Sequence, residues 1–186
     1  MKASVLKDLT YISETNLHQL WIQLQLKKSK SLLICVSYRP PDCPLDCFEN
    51  LLKPNYIQAL VLCKPISVLG DLNCNMLKDN REQKALSDVS RELNRTLVIN
   101  TPTRITNNCQ SLIDVICTSS PSLLRNSGVL NIPISDHLPV LATLKLKPPN
   151  KSPYVILLYG VSRIMIPRHL PTTLLPTLTV SSPFFR

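Results

Sequence analysis

Short apolar runs bounded by turn-forming residues constrain this chain most. Ser31–Ser37 (SLLICVS), Pro65–Leu69 (PISVL) and Leu112–Thr118 (LIDVICT) are nearly continuous in apolar character. Runs of that length without alternation read as strands covered on both faces. His137–Lys147 (HLPVLATLKLK) supplies a further strand. Leu20, Ile22, Leu24 and Leu26 alternate with Trp21, Gln23, Gln25 and Lys27, the period of a strand with one buried face. Lys27–Lys30 then reads as a hairpin turn, and Pro40 and Pro41 end the strand that follows.

Covered strands need elements to cover them, and two segments have helical character. Asp46–Cys63 predicts a helix that Pro54 kinks or divides. Leu86, Val89, Leu93 and Leu97 recur at intervals of three and four, which predicts an amphipathic helix from about Gln83 to Leu97 lying on a sheet face. The fold class is therefore layered α/β. Of 186 residues, 44% are hydrophobic and 18% charged, a balance that builds one globular core. Residues 1–147 carry the periodic patterns. Residues 148–186 read as a disordered tail, of which residues 151–186 hold five prolines and no acidic residue.

Charge and cysteine usage exclude some functions. The net charge is +9, but residues 1–150 hold only +5 of it, so the body is modestly basic. That is compatible with binding a phosphate backbone and is not specific to it. The seven cysteines are odd in number, contain no CxxC pair and lack a nearby histidine at Cys43 and Cys47, which argues against a zinc site. With no leader-like start, the reading is a reduced intracellular protein, nuclear or cytoplasmic. No apolar run approaches the roughly 20 residues that cross a bilayer, so no membrane partner is expected.

Three polar insertions interrupt or end the apolar strands: Asp71 with Asn73, Asp114, and Asp136 with His137. Catalytic groups in layered α/β proteins collect at strand ends, where rigid elements hold them and loops leave room for substrate. Carboxylates and an amide oxygen suit a hard cation such as Mg²⁺, and with a histidine they suit metal-assisted phosphodiester hydrolysis. Taken singly, each residue has a plainer role. Asp-Leu-Asn after a strand is commonly a turn, Asp114 fits a structural ion pair, and His137 fits a core histidine. Ser135-Asp136-His137 is no serine-protease triad, because consecutive residues of a strand face opposite sides.

Together, YRPP at Tyr38–Pro41, GDLN at Gly70–Asn73, PTR at Pro102–Arg104, SLIDVICTS at Ser111–Ser119 and SDHLPV at Ser135–Val140 resemble the endonuclease/exonuclease/phosphatase superfamily. The YRPP and LIDVI variants are most similar to the endonuclease domains of LINE-type retrotransposons, across about residues 5–147. The resemblance implies a DNase I-like sandwich, two packed mixed β-sheets flanked by helices in four α/β/β/α layers. It implies DNA as substrate and Mg²⁺ as cofactor, with Mn²⁺ as the alternative. By the same resemblance, Asp71 aligns or deprotonates the attacking water, Asn73 holds water and phosphate, and Tyr38 donates to a phosphate oxygen. Asp114 orients His137, His137 stabilises the pentavalent phosphorus, Asp136 lies on the metal side and Thr103 contacts DNA. Another phosphoesterase substrate and a non-catalytic nucleic-acid-binding form remain alternatives.

The family supplies a metal-binding glutamate before the strand equivalent to Leu20–Lys27. Here only 19 residues precede that strand, and Glu14 lacks the apolar strand that should lead into the ligand. The expectation is a fold incomplete at its N-terminus, with weakened metal binding and little activity.

Overall fold

The structure is a computed structural model that describes residues 2–13, 15–25, 31–132 and 135–145, with the backbone alone at 154–159 and 177–179. Glu14 and the expected turn at Lys27–Lys30 lie outside the described residues. Twelve strands are described: β1 Lys2–Val5, β2 His18–Gln25, β3 Leu32–Tyr38, β4 Ile66–Asp71, β5 Thr96–Leu97, β6 Arg104–Thr106, β7 Cys109–Ser111, β8 Asp114–Thr118, β9 Leu124–Val129, β10 Val140–Lys145, β11 Tyr154–Tyr159 and β12 Thr177–Thr179. The helices are α1, Lys53–Leu60, and α2, Arg81–Glu92.

A six-stranded mixed sheet runs β1-β2-β3-β4-β8-β5, and a four-stranded sheet runs β12-β11-β10-β9. The pair β3 and β4 is parallel, whereas β4 and β8 are antiparallel. A parallel neighbour needs a crossover, and the segment containing α1 supplies it. In the sheet register Trp21, Cys35, Val68 and Cys117 align across β2, β3, β4 and β8, so they share one face. Trp21 meets Tyr56 of α1 edge-on, with ring centroids 6.3 Å apart. Helices therefore cover that face, while β10 contacts β8 from the second sheet. The arrangement is the expected sandwich of two sheets with flanking helices.

Several boundaries differ from the sequence reading for physical reasons. Trp21, assigned to the polar face of β2, is fully buried, because β2 is covered on both sides. The helix around Pro54 divides as expected: a π-helical turn at Phe48–Leu52 runs into α1, whose first turn holds the proline. Asn80 caps α2 by accepting from the Gln83 amide at 2.9 Å. That helix stops short of Leu97, since Asn94 turns left-handed at φ +49° and Leu97 enters β5. The short β11 and β12 fall within the segment 148–186, the rest of which lies outside the described residues.

Candidate active site

Strand register gathers the polar residues at one edge of the larger sheet. His18, at the start of β2, pairs with Tyr38, at the end of β3. Asp71, the last residue of β4, pairs with Asp114, the first residue of β8. Asp114 is thus at a strand end rather than in the middle of one. Both carboxylates are buried, at 5% and 1% exposure. His137 reaches them from the loop before β10, where it bridges to Arg104 instead of opening a strand. Its Nδ1 lies 3.0 Å from one Asp114 oxygen and 3.3 Å from the other.

Gly70 makes the close approach of β3 and β4 possible. It sits at φ +151°, and a Cβ there would stand 1.7 Å from the Ser37 carbonyl oxygen. Asn73 follows at φ +47°, in the left-handed region that asparagine tolerates better than most residues. Its amide donates to Asp71 Oδ1 at 3.0 Å, and its Nδ2 donates to the Arg39 carbonyl at 2.8 Å. The amide of Arg39 donates in turn to the Asp71 carbonyl at 2.9 Å, tying the ends of β3 and β4 together.

Electrostatics follow from this crowding. Burial, then the Asp114 charge, pushes the Asp71 carboxyl up to about 6. The hydrogen bond to Asp114 holds His137 above its ordinary value. Burial, and secondarily Asp71, raises the Tyr38 phenol. Ligand atoms of Asp71, Asp114 and His137 all lie within 4.8 Å of one another. Two facing carboxylates of concentrated negative charge fit a hard divalent cation, with water completing its shell. Tyr38, Asp71, Asn73, Asp114 and His137 thus meet at one edge.

Two expected residues are placed differently. Asp136 is 43% exposed and accepts from Arg104 Nε at 2.7 Å, outside the three-residue cluster. That guanidinium holds the Asp136 carboxyl below the usual range. Thr103 is fully buried, and its Oγ1 accepts from the amides of Ile113 at 3.1 Å and Asp114 at 3.0 Å. It sits behind Asp114 rather than facing solvent. The sequence reading also missed Arg39, which is 3% exposed within the YRPP motif. A lone arginine between a tyrosine and two prolines carries no signal of burial.

No protein-family model matches the sequence, and no curated protein matches it. Solved structures do match. The endonuclease domain of TRAS1, a telomere-specific non-LTR retrotransposon, superposes with a TM-score of 0.62 at 18% identity, over 78% of this chain and 69% of that one. The fold is that of the endonuclease/exonuclease/phosphatase proteins. An endonuclease/exonuclease/phosphatase family protein from Leptotrichia buccalis matches at 0.51 and 12% identity, covering 78% of this chain and 60% of that one. A protein of the same description from Bacteroides vulgatus matches at 0.51 and 16%, covering 76% and 62%. The chain spans less than two thirds of these two endonuclease/exonuclease/phosphatase proteins. Among the described residues, no helix is long and apolar enough to cross a membrane, and all seven cysteines are free.

Proposed function

We propose that this chain carries the site for metal-assisted hydrolysis of phosphodiester bonds in DNA, as an endonuclease of the retrotransposon type whose metal binding and activity are weak. The observation that carries this reading is the convergence of Asp71, Asp114 and His137 within 4.8 Å at the strand-end edge of this fold. It rests further on the YRPP and LIDVI motifs for the choice of DNA.

The roles are those the resemblance implies, and apart from Thr103 and Asp136 the geometry supports them. Asp71, held by the Asn73 amide, takes the proton of the attacking water. Asp114 is engaged with Nδ1 of His137, which leaves Nε2 to donate to the phosphate as negative charge develops on its oxygens. Tyr38 donates its hydroxyl to a phosphate oxygen, and Asn73 orients water and phosphate. Thr103 supports Asp114 and acts on substrate only through it. A divalent cation, Mg²⁺ or Mn²⁺, would be held by the facing carboxylates of Asp71 and Asp114 and would neutralise phosphate charge, while Asp136 stands apart on Arg104.

Supercoiled plasmid with Mg²⁺ tests the reading. Weak nicking that disappears on chelation and in His137→Ala is the expected result. Absence of nicking at any Mg²⁺ or Mn²⁺ concentration, with salt-dependent DNA binding retained, would replace it with the non-catalytic binding form.

A further inference from the structure

We propose that Arg39 is a positioning residue for Asn73: its buried guanidinium clamps the loop after β4 and fixes the left-handed turn that presents the Asn73 side chain at the site. The inference rests on the reading that Asn73 orients water and phosphate.

A buried guanidinium is costly unless its donors are satisfied, and arginines are ordinarily buried against carboxylates. Arg39 differs. Among the described residues no carboxylate lies within ion-pair distance of it; its two terminal nitrogens go to loop carbonyls and the Cys74 sulfur, and its Nε is buried with no partner. One terminal nitrogen points at the carbonyls of Leu72 at 3.5 Å and Asn73 at 3.4 Å, and at the Cys74 sulfur at 4.0 Å. The other donates to the Cys43 carbonyl. The guanidinium lies 5.9 Å from the centroid of the Phe48 ring. The group thus spans two loops, the one after β3 and the one after β4.

The contact with Asn73 is reciprocal. Arg39 reaches the Asn73 carbonyl, and Asn73 Nδ2 donates back to the Arg39 carbonyl at 2.8 Å. Asparagine tolerates φ +47° better than most residues, and here its surroundings add contacts that hold it there. Here the Asp71 carboxylate takes its amide, the Arg39 guanidinium takes its carbonyl, and the Arg39 main-chain carbonyl takes its side chain. Lysine carries the same charge but lacks the planar fork that serves two loops at once, so it does not replace the clamp.

The test compares the full chain with Arg39→Lys and Arg39→Met by amide hydrogen exchange and by nicking. Exchange at the Asn73 amide should quicken at least tenfold in Arg39→Lys, while the Val68 amide within β4 keeps its rate. In the nicking assay kcat should fall tenfold or more, with KM for DNA within twofold of the parent. The Met variant removes charge and fork together, and the Lys variant decides the matter if Met does not fold. An unchanged Asn73 exchange rate, or Asn73 and Val68 quickening by the same factor, overturns the proposal. So does a loosened Asn73 with unaltered kcat. If the parent chain does not nick, the functional reading fails, and the exchange measurement still decides whether Arg39 holds Asn73.

Discussion

Asp71 stands directly opposite Asp114 in the antiparallel register of β4 and β8, with both side chains almost wholly buried. Two carboxylates placed this way resist simultaneous ionisation. His137 offsets one of them through Nδ1, and Asp71 carries the residual strain as a raised pKa.

Removing that ionisation should stabilise the protein. The Asp71 carboxyl titrates at about 6 in the fold against an ordinary value of 3.8, so the folded state holds its proton more tightly. Stability therefore falls as pH rises between those values, and the full cost is present above about 6. Below the ordinary value both states are protonated and the cost vanishes. Asp71→Asn keeps an acceptor for the Asn73 amide and has no charge to bury. Urea unfolding should show the Asp71→Asn variant more stable than the parent at pH 8 and equal to it near pH 3.5, a range set by the same carboxyl. Equal stability at both pH values would contradict the assigned strain. Nicking by Asp71→Asn should fall by about 10²-fold or more, as for loss of a general base.

Nicking should depend on pH as a bell. Asp71 must be ionised to accept a proton, and its carboxyl, held at about 6 before a cation binds, sets the acid limb. His137 must be protonated to donate, which sets a basic limb above the ordinary histidine value, since Asp114 holds it up. A cation bound near Asp71 favours its ionised form, so raising Mg²⁺ should carry the acid limb to lower pH. Rate profiles at two Mg²⁺ concentrations check this. A basic limb that moves with Mg²⁺ while the acid limb stays fixed would reverse the two assignments.

The candidate site was more legible than its supports. Apolar runs announce β3, β4 and β8, and a charge or amide inside such a run is conspicuous because burial makes it costly. Asp71, Asp114 and His137 were visible for that reason. Trp21 was misplaced because strict alternation holds only for a strand with one wet face, whereas β2 has none. Leu97 continued the helical spacing, yet Asn94 had already turned the chain, and one asparagine does not reveal its φ in sequence. Strand β9, Leu124–Val129, carries mostly exposed or half-buried side chains, so hydrophobicity gave no sign of it. Arg39 and Thr103 were missed as supports because their partners are backbone groups that residue type does not announce, in the loops around Arg39 and at the entry to β8 for Thr103.

Asp114 and His137 should behave as one unit. Their hydrogen bond at 3.0 Å links a charge that orients to a ring that donates, so losing either disables the same step. His137→Ala and Asp114→Asn should each lower kcat by about 10²- to 10⁴-fold, and the double variant should be little worse than the poorer single one. Multiplicative losses in the double variant would show that the two residues act separately.

Thr103 offers the sharpest contrast between a substrate contact and a support. Its buried Oγ1 accepts from two amides, Ile113 and Asp114, just where the chain enters β8. Thr103→Val keeps the shape and leaves both N–H groups unpaired. The loss should be about 2 to 6 kcal/mol in urea unfolding, from about 1 to 3 kcal/mol for each of the two orphaned buried groups. Thr103→Ser retains the oxygen and should recover most of that stability. A residue that only touched DNA would leave folding stability unchanged in the valine variant and would raise KM instead. Destabilisation in Thr103→Val, reversed in Thr103→Ser, therefore separates the two roles without needing any substrate at all.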